Sequence, residues 1–149
     1  MIEINNLTKF NLDEKKLKGI IKKVLIGKLK KNDLSVAFVN PGAIKNLNRK
    51  YRKKNRITDV LSFAEFKNLK KELKIKKIRE RVILGEIIIC PQEVDKNAKK
   101  FKSKFENELY RVLIHGILHL LGYDHEKSEK QANLMEKKQS YYFKKIINK

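Results

Sequence analysis

Hydrophobic and polar residues follow two periods along this chain, and the switches between them outline its elements. Near the start, "IEINNL" alternates apolar with polar, the two-residue period of a strand with one buried face. Over 13–29 the period lengthens. Leu17, Ile20, Ile21, Val24, Leu25 and Ile26 recur at helical spacing with lysines between them, which predicts an amphipathic helix. "DLSVAFVN" (33–40) is apolar, rich in β-branched residues and bounded by Pro41-Gly42, so a second strand is expected. Ile44 and Leu47 share the inner face of a short helix over 43–51. "TDVLSFAEF" (58–66) reads as a third strand, and "RVILGEIIIC" (81–90) as a fourth, apolar enough to be buried on both faces.

The remainder is helical. Pro91 suits the first turn of a helix that runs to about residue 100. Ser103 or Lys104 opens the next, "FENELYRVLIHGILHLL", which Gly122 stops. A last helix over 128–147 carries Leu134, Met135, Tyr142, Phe143 and Ile146. The basic stretch 67–80, between the third and fourth strands, is expected to be a solvated loop rather than a short exposed helix. The order β-α-β-α-β-β-α-α-α has no repeats and no Pro/Gly/Ser linker. It predicts one α+β domain over 1–149, a single sheet with about five helices packed on it.

Charge changes the picture most. Lys plus Arg number 37 against 17 Asp plus Glu, a net charge of +20, so polyanions and nucleic acid above all are the expected partners. The basic stretches 49–56 and 67–81 are candidate phosphate contacts. A lysine-rich composition also arises without any ligand, so charge alone does not assign one. No apolar run approaches the roughly 20 residues of a membrane span. "MIEINNLTKF" lacks the layout of a signal peptide, so the expected location is the cytoplasm, with no membrane association. Cys90 is the only cysteine, which excludes an intrachain disulfide and a cysteine-based zinc cluster. It ends an apolar run and is expected to be a small buried hydrophobe.

All three histidines fall in "HGILHLLGYDH" (115–125). His115 and His119 are four apart on a predicted helix and so share a face. Gly122 lets the chain leave that helix in a left-handed conformation, and His125 can swing back toward the other two. Three imidazoles with an open position suit a transition metal, zinc first, with nickel or copper as alternatives. The pattern H-x-x-x-H-x-x-G-x-x-H matches the metzincin motif H-E-x-x-H-x-x-G-x-x-H except at Gly116, where peptidases carry their glutamate base. That departure argues against peptide hydrolysis. Asp124 either orients a histidine or shapes the turn through its own backbone bonds.

"HGILHLLGYDH", taken with "LNRKYRKKNRITDVLSF" (47–63), resembles the YbeY family of bacterial endoribonucleases. The matching residues are Tyr51, Arg52, Thr58, Asp59, Val60, Leu61, Ser62 and Phe63, then Gly85-Glu86-Ile87 where the family reads Gly-Asp-Ile/Leu. The resemblance implies an α+β fold with a four-stranded mixed sheet and a zincin-like helix. It implies one zinc ion held by His115, His119 and His125, and functional roles for Arg52 and His115. It also implies cleavage of single-stranded RNA in 16S rRNA 3′-end maturation and ribosome quality control. The partners would be the 16S rRNA precursor, the ribosome and small-subunit proteins.

Arg52 offers a planar, permanently charged fork for a scissile phosphate, and a three-histidine zinc site acidifies water and polarises a phosphoryl oxygen. Asp59 and Ser62 lean toward structural roles. Tyr51 is a candidate for stacking on a base. Tyr141, Tyr142 and Phe143 fit a helix core better. Two other readings stay open at this point: a metal-braced, non-catalytic ribosome-assembly factor, and a metallohydrolase of another substrate. Three protein ligands rather than four favour a catalytic site over a structural one.

Overall fold

The computed structural model describes residues 1–26, 32–66, 69 and 82–148. Four strands, β1 (Ile2–Asn6), β2 (Asn32–Phe38), β3 (Val60–Ala64) and β4 (Val82–Ile89), form one sheet in the order β1-β2-β4-β3. β1 runs parallel to β2 and β2 parallel to β4, while β3 pairs antiparallel with β4. The sheet is therefore mixed. Parallel neighbours need a crossover, and α1 (Glu14–Leu25) supplies the one between β1 and β2. α2 (Pro41–Arg52) follows β2. Beyond β4 come α3 (Pro91–Lys100), α4 (Phe105–Leu120) and α5 (Glu129–Ile147).

Local chemistry sets the ends. Asp13 caps α1 by accepting from the Lys16 amide, and Ser128 caps α5 by accepting from the Gln131 amide. Pro41 and Pro91 occupy the first turns of α2 and α3, where a missing N–H is harmless. The larger core lies between the sheet and α1, α4 and α5, around Phe38, Leu84, Ile87, Leu113, Ile117 and Met135. A smaller one, Val39, Ile44, Leu61, Ile88 and Cys90, lies under α2 on the opposite face. Cys90 is fully buried, and burial raises its thiol pKa, so it is an inert apolar side chain as expected.

Several expectations need correction. α1 stops at Leu25, and Ile26 is 77% exposed instead of inward, because the backbone has already turned extended there. The rest of that predicted helix, 27–29, and the basic stretch 67–81 except Leu69 lie outside the described residues, and Leu69 is buried in the larger core rather than solvated. β1, β3 and β4 are shorter than predicted, most of all β3, while β2 begins one residue early at Asn32 and ends at Phe38. In β4, Ile83 and Glu86 are exposed, because α2 covers only one end of that sheet face. Burial on both faces holds for the run Ile87–Ile89. Leu134 is exposed on α5, whose inner stripe is Met135, Tyr142 and Ile146.

Two glycines fix how the layers meet. The β2–β4 pairing shifts from Asp33↔Ile83 to Leu34↔Gly85, a bulge, and Gly85 has φ +135° there. A Cβ on Gly85 would lie 2.1 Å from the Phe63 carbonyl oxygen. At Gly116, on α4, a Cβ would lie 3.0 Å from Cγ2 of Ile87, so α4 packs tightly on the Ile87 side chain of β4 with little room for a larger residue. Gly85→Ala is therefore expected to destabilise the fold by at least about 2 kcal/mol through backbone strain and the clash with β3. A lowered urea midpoint would register it; an unchanged midpoint contradicts this bulge.

Candidate metal centre

The helix with the deepest packing carries the site. α4 touches α1, α3, α5, β3 and β4, so its axis is fixed on every side. Its buried face includes Leu109, Val112, Leu113, Gly116, Ile117 and Leu120. His115 and His119 flank that face and are half-buried. The helix ends with two paired bonds, Gly122 N–H to His119 C=O (3.0 Å) and Tyr123 N–H to Leu118 C=O (3.1 Å), and Gly122 has φ +103°. The chain then doubles back. Asp124 Oδ1 accepts from the Glu126 amide at 2.9 Å, so the turn-shaping reading of Asp124 is the observed one. That turn delivers His125.

The three imidazoles meet at the C-terminal end of α4. Ring centroids lie 4.7 Å apart for His115–His119, 5.3 Å for His115–His125 and 5.0 Å for His119–His125. One ring nitrogen from each falls within 4.8 Å of the others, so the cluster can hold a metal ion. The donor set supports that fit. Gln139 Oε1 lies 2.9 Å from Nδ1 of His115 and accepts its proton, which leaves Nε2 of that ring unprotonated as a ligand.

Electrostatics favour the neutral form of two of the rings, His115 and His119. Burial is the main cause that lowers the His115 pKa below the ordinary value, with the Gln139 bond opposing it. Burial also dominates at His119, and charge on His115 and His125 adds to it, lowering His119 to about 4. Neutral imidazole is the form that binds metal, so no proton competes at His119 near neutral pH.

A cleft leads to the cluster between α2, β3 and the turn after α4. Arg52, Arg56, Asp59, Ser62 and Asp124 line it beside the histidines. Arg52 donates from Nη2 to the Ser62 carbonyl and lies with its guanidinium 5.4 Å from the Phe63 ring centre. Ser62 thus positions Arg52 through its backbone. The Asp59 carbonyl accepts from the Cys90 amide at 2.9 Å, a structural tie, while Asp59 also lines the cleft. Tyr51 is 57% exposed, Tyr142 is buried, Phe143 is half-buried and Tyr141 is exposed.

Two residues of the site were not foreseen. Asn48, at 3% exposure the one buried polar side chain among the described residues, donates from Nδ2 to the Arg56 carbonyl at 3.0 Å. It pins the loop that carries Lys54 and Arg56 to the cleft rim. Gln139 is the other. Both sit where a helix stripe should be apolar: Asn48 four after Ile44, Gln139 four after Met135 and three before Tyr142. A polar residue interrupting such a stripe was the available signal.

Fold and site together define an α+β protein with a three-histidine centre at the C-terminal end of a buried helix. Comparisons with known proteins agree with that class and narrow it. The family model for Endoribonuclease YbeY matches residues 3–147. A Thermotoga neapolitana protein named Endoribonuclease YbeY is 41% identical over 133 residues, covering 89% of this chain and 77% of the relative. One of the same name from Petrotoga mobilis is 38% identical over 146 residues, covering 97% and 93%. A Thermotoga maritima protein solved in solution superposes with a TM-score of 0.67 at 34% identity, over 98% of this chain and 89% of that one. The chain belongs to the YbeY family.

Two outcomes follow for the centre. A histidine whose pKa drops on folding favours the folded state fully above about 6.5, and that contribution is lost as pH falls toward 4. Metal-free protein should therefore melt at progressively lower temperature between those values in calorimetry, and His119→Ala should flatten the profile. Gln139→Ala should weaken zinc binding about 10- to 100-fold in a chelator competition while leaving the urea midpoint in place.

Proposed function

We propose that residues 1–149 form one metal-dependent endoribonuclease domain. It cleaves single-stranded RNA in the cytoplasm, in 16S rRNA 3′-end maturation and ribosome quality control. The observation that carries this reading is the meeting of three imidazoles and Arg52 in one cleft rimmed by further cations. Membership of a family whose curated members are named for endoribonuclease activity supports it. Zinc is the proposed ion, one per chain, held by His115, His119 and His125. When bound, it supplies Lewis acidity toward a phosphoryl oxygen and acidifies water.

The chain's own residues do the rest. Arg52, anchored by one N–H to the Ser62 carbonyl, keeps other N–H donors for the scissile phosphate and for the charge that grows on it. His115 is oriented by Gln139 and stays unprotonated on the ligand side. Lys54 and Arg56 attract the flanking backbone, an effect that salt screens. Gly116 faces Ile87, so peptide hydrolysis with a base at that position is not built into this helix. The 16S rRNA precursor, the ribosome and small-subunit proteins are the proposed partners.

Purified protein should cut unstructured RNA, stop after chelation and recover with added zinc. His119→Ala should be inactive. Arg52→Ala should lose about 10²- to 10³-fold in rate, the usual loss of one transition-state donor. Cleavage that ignores chelator and both substitutions would overturn the reading.

A further inference from the structure

The two sides of Arg52 differ in chemistry. On one side the cleft wall is polar and cationic, with Asn48, Lys54, Arg56 and Thr58. On the other a second groove of about 530 Å³ opens, sharing Arg52, Ser62, His119 and Asp124 with the metal centre. Its lining includes four aromatic residues: Tyr51, Phe63, Phe66 and Tyr123. Its volume lies within the roughly 300–1,000 Å³ of small-ligand sites.

Tyr51 is the notable member. It is the last aromatic of α2, one residue before Arg52, and 57% of it is exposed. Phe63 meets it edge-on, at 5.4 Å between ring centres and 69° between planes. The Lys50 ammonium lies over the same ring, 5.2 Å from its centre, on a flexible side chain that a stacked base would displace, and Lys127 lines the groove. A large ring braced on its neighbour and left open to solvent is a platform for another flat ring. Cations beside it suit a ligand that carries phosphate.

We propose that this groove seats one nucleobase of the RNA, that of the nucleotide next to the scissile phosphate on the aromatic side of Arg52, stacked on Tyr51. This inference rests on the ribonuclease reading of the adjoining centre. Continuity with that centre selects the occupant: a strand whose phosphate lies at Arg52 has its next base within reach of the groove. Stacking tolerates any base, so the groove favours unpaired nucleotides over a duplex, whose bases are already stacked, without reading sequence. The opposite side, lacking aromatics, holds its nucleotide through phosphate alone.

The test pairs Tyr51 variants with short single-stranded RNAs in which one base at a time is removed. Binding is read by fluorescence anisotropy on the full chain with chelator present, and cleavage separately with zinc. Tyr51→Ala should weaken binding of intact RNA roughly 5- to 100-fold, and Tyr51→Phe should stay near wild type. Removing a base at one position beside the cut should weaken wild-type binding by a similar factor, and Tyr51→Ala should lose nothing further on that RNA. Equal losses on intact and base-free RNA, or none on either, overturn the groove while leaving the ribonuclease reading intact if wild type still cuts. Wild type that neither binds nor cuts single-stranded RNA overturns both.

Discussion

The contact between α4 and β4 at Gly116 is the constraint on which the rest depends. With no Cβ on Gly116, the helix lies against the sheet with only the Ile87 side chain between them at that point. That fixes the helix rotation as well as its height. Successive residues turn about 100°, so His115, one position before Gly116, falls at the margin of the buried face, and His119 follows one turn later. Both imidazoles emerge where β3 and α5 approach. Gln139 on α5 reaches one of them, and Arg52 reaches the backbone of β3 beside the other.

Charge explains why such a site belongs in so basic a chain. The three proposed ligands are imidazoles, which bind an ion without adding negative charge, and burial favours the neutral form of His115 and His119. An ion held by neutral imidazoles keeps its full double charge, whereas carboxylate ligands would spend part of it. In a protein of net charge +20, that charge adds to Arg52, Lys54 and Arg56 at the mouth of the cleft. Only an anionic ligand offsets such a field, and a phosphodiester strand does so along its whole length. At physiological ionic strength the effect reaches about 8 Å, so the cations at the rim matter far more than the many lysines elsewhere.

Much of this was legible in the sequence. The helical spacing of His115 and His119, with Gly122 behind them, announced the cluster, because both the period of a helix and the left-handed turn at its end are local properties. The order of elements and the buried role of Cys90 were legible for the same reason. Ile26 and Leu134 misled because apolar residues continue past a helix end or beside its stripe without being buried. Exposure of Ile83 and Glu86 depends on how far α2 reaches across the sheet, which no local pattern encodes. Gln139 and the Ser62 carbonyl act across the fold, 24 and 10 residues away from their partners, so their roles appear only once the chain is folded.

The glycine at 116 also bears on the chemistry. In the peptidase motif the residue after the first histidine is the base, so its loss looks like a missing part. Here the position faces Ile87 rather than the cleft, and a carboxylate placed there would be buried in the core without a partner, at a cost of several kcal/mol. Packing therefore removes the base from this position, and the cleft has its carboxylates elsewhere: Asp59 at the start of β3, Asp124 and Glu126 in the turn. Asp124 is already engaged by the Glu126 amide. Among the described residues, a carboxylate acting as acid or base would therefore have to come from across the cleft or from its rim. A metal held by the histidines and a carboxylate on the facing rim would then approach a substrate lying between α4 and β3 from both sides.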